Sequence, residues 1–83
     1  MTQTAKQKLV DAFRDSFGGQ VDAEDINGRG RYRFEIVSSA FSGVAQLTRQ
    51  DQAWEVVDRT LSRAESADIS LILTYDPADL SIV

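Results

Sequence analysis

The chain has 83 residues, 13 acidic and 9 basic, giving a net charge of −4; it contains no cysteine and no histidine. That length supplies one core and a single domain over residues 1–83, with about 3–5 kcal/mol of core stability and no disulfide to add to it. The missing thiol and imidazole exclude a thiolate nucleophile, an imidazole base and the usual zinc or iron–sulfur ligand sets, so neither a metal nor a cofactor is expected.

The carboxylates are scattered, without the spacing of a metal loop or an acid–base pair, and read as a solvated acidic surface. An acidic balance disfavours phosphate binding over the whole surface but leaves room for a local basic patch. No apolar run approaches the ~18 residues of a membrane span and no signal segment is recognisable, so a soluble, cytoplasmic protein is expected. There is no repeat, low-complexity tract or linker, and the single proline, Pro77, leaves the middle of the chain undivided.

Residues 4–17 place Leu9, Phe13 and Phe17 at i, i+4 and i+8 with Val10 alongside, one apolar stripe of a helix about four turns long. Gly18 and Gly19 follow, where a helix end wants residues tolerant of positive φ. "QVDAEDI" then alternates Val21 and Ala23 against Asp22 and Glu24, a strand. Asn27-Gly28 is a strong two-residue hairpin signal, because a type I′ turn needs positive φ at both central positions. "RYRFEIV" alternates Tyr32, Phe34 and Ile36 against Arg31, Arg33 and Glu35, a second strand.

With a two-residue turn, Ala23 faces Tyr32 and Val21 faces Phe34 on the apolar side, while Asp22 meets Arg33 and Glu24 meets Arg31 on the other. Each opposite-charge pair contributes ~0.2–1 kcal/mol. A four-residue loop keeps the faces but opposes Asp22 with Glu35, so the tighter turn is preferred. Arg31 and Arg33 are then strand partners, and Arg29 stays free beside the loop.

Residues 38–47 are irregular. Thr48 and Asp51 predict a variant capping box at the start of a second helix, with Leu47 as its staple. Trp54, Val57 and Leu61 form that helix's core stripe, and Glu55, Asp58 and Arg59 its solvated face. "DISLILTY" is a third strand with Ile69, Leu71, Leu73 and Tyr75 on one face and Ile72 on the other, the pattern of a strand buried more than its neighbours. Asp76 and Pro77 then suit the N-cap and first position of a short terminal turn. The order helix, strand, strand, helix, strand predicts an α+β sandwich of two main helices on one three-stranded mixed sheet. The second strand is a possible free edge, its arginines guarding against pairing with another chain.

Val37-Ser38, Phe41-x-Gly43, Leu47, Arg49 and Leu61, followed by Tyr75-x-Pro77-Ala78-Asp79-Leu80, resemble the motifs of the BolA proteins in order and spacing. The likeness spans roughly residues 5–80. It implies a fold like the type II KH domain, partnership with monothiol glutaredoxins through a bridging iron–sulfur cluster, and in some members a link to stress response and transcription control. The family supplies a histidine at the start of the third strand and a histidine or cysteine in the hairpin loop. The matching positions here are Asp68, to within one residue, and the segment 28–31, with Arg31 nearest. The histidine that often follows the arginine is replaced by Gln50. The resemblance therefore implies the fold and a partner surface without the cluster.

The leading expectation is a non-enzymatic, BolA-like interaction or regulatory module, a monomer or weak homodimer. Its candidate surface comprises Arg29, Arg31, Phe41, Gly43, Arg49 and Asp68. Arg49 has a second reading, as a tie for the loop before its helix. The alternative is a KH-like nucleic-acid-binding or transcription-regulatory domain contacting phosphates through Arg29, Arg31 and Arg33 with Lys6 or Lys8. KH domains grip single strands with a GXXG loop between two helices, and only Ser42-Gly43 stands in that region. An enzyme is not expected, because no nucleophile–base pair can be assembled.

Overall fold

Thr4 opens the first helix by accepting the Gln7 N–H on its hydroxyl at 3.1 Å, which satisfies one of the donors a helix start leaves unpaired. In this computed structural model, which describes residues 4–26 and 31–80, α1 spans Ala5–Phe17 and buries Leu9, Val10 and Phe13. Gly18 and Gly19 both adopt positive φ. Gly19 has a second constraint: a Cβ there would overlap the Val37 carbonyl. The glycine pair thus turns the chain from α1 into β1 (Gln20–Asp25), tight against the end of β2 (Tyr32–Val37). Ser38 locks that corner, its hydroxyl donating to the Phe17 carbonyl at 2.5 Å.

A 3-10 turn over Ser39–Phe41 leads to α2 (Gln46–Thr60), followed by the short α3 (Arg63–Ser66), β3 (Ile69–Tyr75) and a closing 3-10 turn at Pro77–Leu80. The sheet order is β1-β2-β3, antiparallel then parallel. It is the expected α+β arrangement, with α1 over β1 and α2 over β3. Leu9, Phe13, Val21, Phe34, Ile36, Phe41, Val57 and Ile72 belong to the one buried cluster between helices and sheet.

The hairpin register departs from expectation. Asp22 lies opposite Glu35, Glu24 opposite Arg33, and Ile26 donates its N–H to the Arg31 carbonyl at 2.9 Å. The Asn27-Gly28 turn itself lies outside the described residues. The tighter register would have set Ile36 opposite Gly19; the observed one sets it opposite Val21, both buried. Ile36 faces the core in either register, but the observed one gives it a buried β-branched neighbour across the strands, a contact of the same ~0.2–1 kcal/mol order as an exposed charge pair. It also keeps the close approach of Gly19 to Val37 and the Ser38 hydrogen bond. The corner at Gly19 and Ser38, at the far end of the hairpin, therefore outweighs the charge pairing near the turn.

Further corrections concern β2, α2 and β3. β2 is the central strand, so it is not a free edge; β1 and β3 are the edges. α2 begins at Gln46 with no side-chain cap, which places Thr48 and Asp51 inside the helix and leaves Leu47 82% exposed. The start is held instead by side chains reaching β3: Gln46 Nε2 donates to Thr74 Oγ1 at 2.8 Å and Gln50 Nε2 to the Ile72 carbonyl at 2.9 Å. The core stripe of α2 is Ala53, Val56 and Val57, with Leu61 buried just past its end, whereas Trp54 is 36% exposed. A helix packed on both a helix and a sheet has room at its centre for a methyl rather than an indole.

In β3 the pairing shifts between Tyr32↔Ile69 and Arg33↔Leu71, leaving Ser70 as an extra residue. Such a bulge exchanges the two faces beyond it. Ile69 still packs on the core, but Ile72 and Thr74 are the buried residues after it, and Leu71, Leu73 and Tyr75 turn to the open side. Finally, α3 carries a capping box between Ser62 and Glu65. The Ser-x-x-Glu signal is present in the sequence, on a helix of only four residues.

Candidate functional site

The parallel pairing of β2 with β3 brings two of the expected positions together at one end of the sheet. Tyr32 N–H donates to the Asp68 carbonyl at 2.9 Å, so Asp68 lies beside the start of β2, next to Arg31. Both are exposed. Among the described residues neither side chain has an ion-pair or hydrogen-bond partner. Arg29, expected alongside them, lies outside the described residues.

Two lysines of α1 reach the same end. Lys6 Nζ sits 6.0 Å from the centre of the Tyr32 ring, within cation–π range. Lys8 Nζ bonds Glu65 Oε2 at 2.9 Å. The Ser62 backbone N–H and the Lys8 ammonium hold the Glu65 carboxyl below its usual range, because both favour the charged form. The α3 capping box thus orients Glu65 toward Lys8 and fixes the turn that delivers Asp68. This part of the site, Glu65 and α3, was missed from sequence; Ser62-x-x-Glu65 is the signal that could have found it.

Phe41, Gly43 and Arg49 gather at a different place, where α2 begins and the chain closes. Phe41 is fully buried, its ring 4.9 Å from that of Phe17. Gly43 has φ +72° with open space where a Cβ would stand, so the backbone turn alone favours glycine there. Arg49 Nε donates to the Val44 carbonyl at 2.8 Å and Nη1 to Asp79 Oδ2 at 3.1 Å. Its guanidinium carbon is 5.9 Å from the Phe41 ring centre, and only 12% of the side chain is exposed. Asp79 Oδ2 also accepts the Asp76 N–H at 3.0 Å. That backbone bond, and then Arg49, lower the Asp79 pKa. The geometry gives Arg49 the role of a tie joining the 42–45 loop, α2 and the closing turn.

Of the arginines of the alternative reading, Arg29 lies outside the described residues, and one of the other two is already engaged. Arg33 projects from the face of the sheet opposite the helices and is ion-paired with Glu24, while Arg31 is exposed just before β2.

The BolA domain of SufE1 from Arabidopsis thaliana superposes on 95% of this chain and 99% of its own length, with a TM-score of 0.73 and 16% sequence identity. The fold is BolA-like. No protein-family model and no curated protein sequence matches the chain. The BolA-like core accounts for the motif residues just described: Phe41 and Arg49 are held within its framework, and Gly43 makes a turn in it.

An iron–sulfur cluster does not fit the sheet end. A guanidinium has no lone pair to offer iron, and a single carboxylate at Asp68 is a hard oxygen donor rather than the thiolate or imidazole such clusters take. No cysteine or histidine exists anywhere in the chain to replace them. Among the described residues no group of three or more carboxylates is placed to hold a metal ion, and no helix is long and apolar enough to cross a membrane.

Proposed function

We propose that this chain is a non-enzymatic, BolA-like protein-interaction and regulatory module that uses the sheet end at Arg31 and Asp68 without ligating an iron–sulfur cluster. The observation that carries the reading is the juxtaposition of those two residues across the Tyr32–Asp68 hydrogen bond, at the positions where the BolA resemblance expects cluster ligands. With Lys6, Lys8 and Glu65 beside them, this end offers a mixed-charge surface. Such a surface contributes specificity and association rate more than raw affinity. The partner class is a monothiol-glutaredoxin-like protein, by resemblance, joined through side-chain contacts in place of a shared cluster. A monomer or weak homodimer acting in the cytoplasm suits that role.

The test is an NMR titration of the labelled chain with cluster-free monothiol glutaredoxin. Amide shifts should localise to Arg31, Tyr32, Glu65 and Asp68, and the double variant Arg31→Glu/Asp68→Lys should abolish them. The absence of any shift at near-millimolar glutaredoxin would remove this partner class.

Nucleic-acid binding has less support, since Arg33 is engaged by Glu24 and the chain is acidic overall. Its signature would be binding to DNA or RNA that weakens steeply with salt and weakens further in Arg31→Ala.

A further inference from the structure

Both helices lie on one face of the sheet, and among the described residues no element covers the other. Register assigns that open face three cross-strand rows: Glu24, Arg33 and Leu71; Asp22, Glu35 and Leu73; Gln20, Val37 and Tyr75. The face is divided along its width. Its β3 side is apolar, with Leu71 42% exposed and Leu73, Tyr75 and neighbouring Val37 half-buried. Its β1 side is acidic, with a shallow depression of about 300 Å³ lined by Asp22, Ala23, Glu24, Arg33 and Glu35.

The acidic side breaks a local rule. Glu24 is matched by Arg33, but Asp22 stands directly opposite Glu35, and neither has an ion-pair partner among the described residues. Like charges placed directly opposite destabilise a sheet. Departures of this kind collect at functional sites. An apolar strip flanked on one side by uncompensated negative charge has a definite complement: an apolar stripe with cations along one edge.

We propose that the open face docks an amphipathic helix of a partner protein, with its apolar stripe on Leu71, Leu73 and Tyr75 and lysines or arginines at Asp22 and Glu35. A helix there would give the sheet a second covering layer and neutralise the like-charge pair. A second copy of this chain is the poorer occupant, because face-to-face association would bring acidic sides into one interface. Nucleic acid is repelled for the same reason. The surface is separate from the Arg31–Asp68 end and does not depend on the function assigned to that end.

The probe is a designed helical peptide of about 16 residues, ~24 Å long, with a leucine stripe flanked on one side by lysines. Its control is a twin with glutamates in place of the lysines. Titrated into the labelled full chain, the basic peptide should shift amides of Asp22, Glu35, Leu71, Leu73 and Tyr75 and leave Arg31 and Asp68 in place. Asp22→Asn/Glu35→Gln, which relieves repulsion and so should fold at least as well, should weaken binding about tenfold, and Leu73→Ser should weaken it with circular dichroism unchanged. The proposal is overturned if no shift occurs at near-millimolar peptide. It is equally overturned if the glutamate twin binds as well, if the shifts map to Leu47 and Trp54 on α2, or if sedimentation shows a dimer closed through this face.

Discussion

The two places where the motif residues gather are built very differently. Around the start of α2, Phe41, Arg49, Asp76 and Asp79 are joined by a buried ring, two guanidinium hydrogen bonds and a capped carboxylate. At the sheet end, Arg31 and Asp68 are exposed and are brought near one another by the backbone hydrogen bond from Tyr32 to Asp68. The first region uses its side chains as framework; the second keeps them available. In so small a domain one cluster of side chains can hold the fold while another stays exposed.

That contrast predicts a steep gradient of mutational effects. Phe41→Ala removes a fully buried ring and should cost about 3–5 kcal/mol, comparable with the whole stability of a domain this size. Urea unfolding should show a largely unfolded chain, whereas Arg31→Ala and Asp68→Ala should move the midpoint by under about 0.5 kcal/mol. Comparable losses at both places would dissolve the distinction.

The two glycines at the α1–β1 corner sharpen it. Gly18 and Gly19 both have positive φ, but only at Gly19 does a side chain meet backbone. Gly18→Ala should cost roughly 1 kcal/mol and Gly19→Ala clearly more, because the Val37 carbonyl must move as well. Thermal denaturation of the two variants decides it.

Acid should weaken the framework. The Asp76 N–H and Arg49 hold the Asp79 carboxyl below its ordinary value of 3.8. A group whose pKa is lowered by folding stabilises the native state above its unfolded value, and loses that contribution as pH falls through the folded value. Asp79→Asn should therefore be less stable than the parent chain at pH 7, with the gap closing below about pH 4. Arg49→Ala, which also strands the Val44 carbonyl, should cost about 1–2 kcal/mol at pH 7. Denaturant midpoints at pH 7 and pH 3 check both.

The smallest effect tests the register. A double-mutant cycle on Glu24 and Arg33 should give a coupling of ~0.2–1 kcal/mol, and one on Glu24 and Arg31 close to zero. The reverse result would restore the two-residue turn.

Element order, both long helices and the three strands follow from periodicity and the glycine signals, because those features are local. The short α3 was missed although its Ser62-x-x-Glu65 signal is local; the other failures lie where a distant contact overrides a local one. The hairpin register is decided by Val21, Ile36 and the Gly19–Ser38 corner rather than by the charges near the turn. α2 starts at Gln46 because Gln46 and Gln50 reach β3, which no capping pattern records. The β3 faces exchange at Ser70, and a bulge leaves no mark on alternation until the pairing strand is known. Of the candidate site, the nearness of Arg31 to Asp68 follows from the BolA resemblance, whereas Lys8–Glu65 depends on the missed turn of α3.

The central claim is that the sheet end serves a partner without ligating a cluster. Its most direct test is the visible circular dichroism of monothiol glutaredoxin carrying its iron–sulfur cluster, recorded before and after an excess of this chain is added. The account predicts a spectrum unchanged in shape and intensity, even under conditions where the two proteins bind. A new set of bands on mixing would show that the chain supplies a ligand to iron and would contradict it.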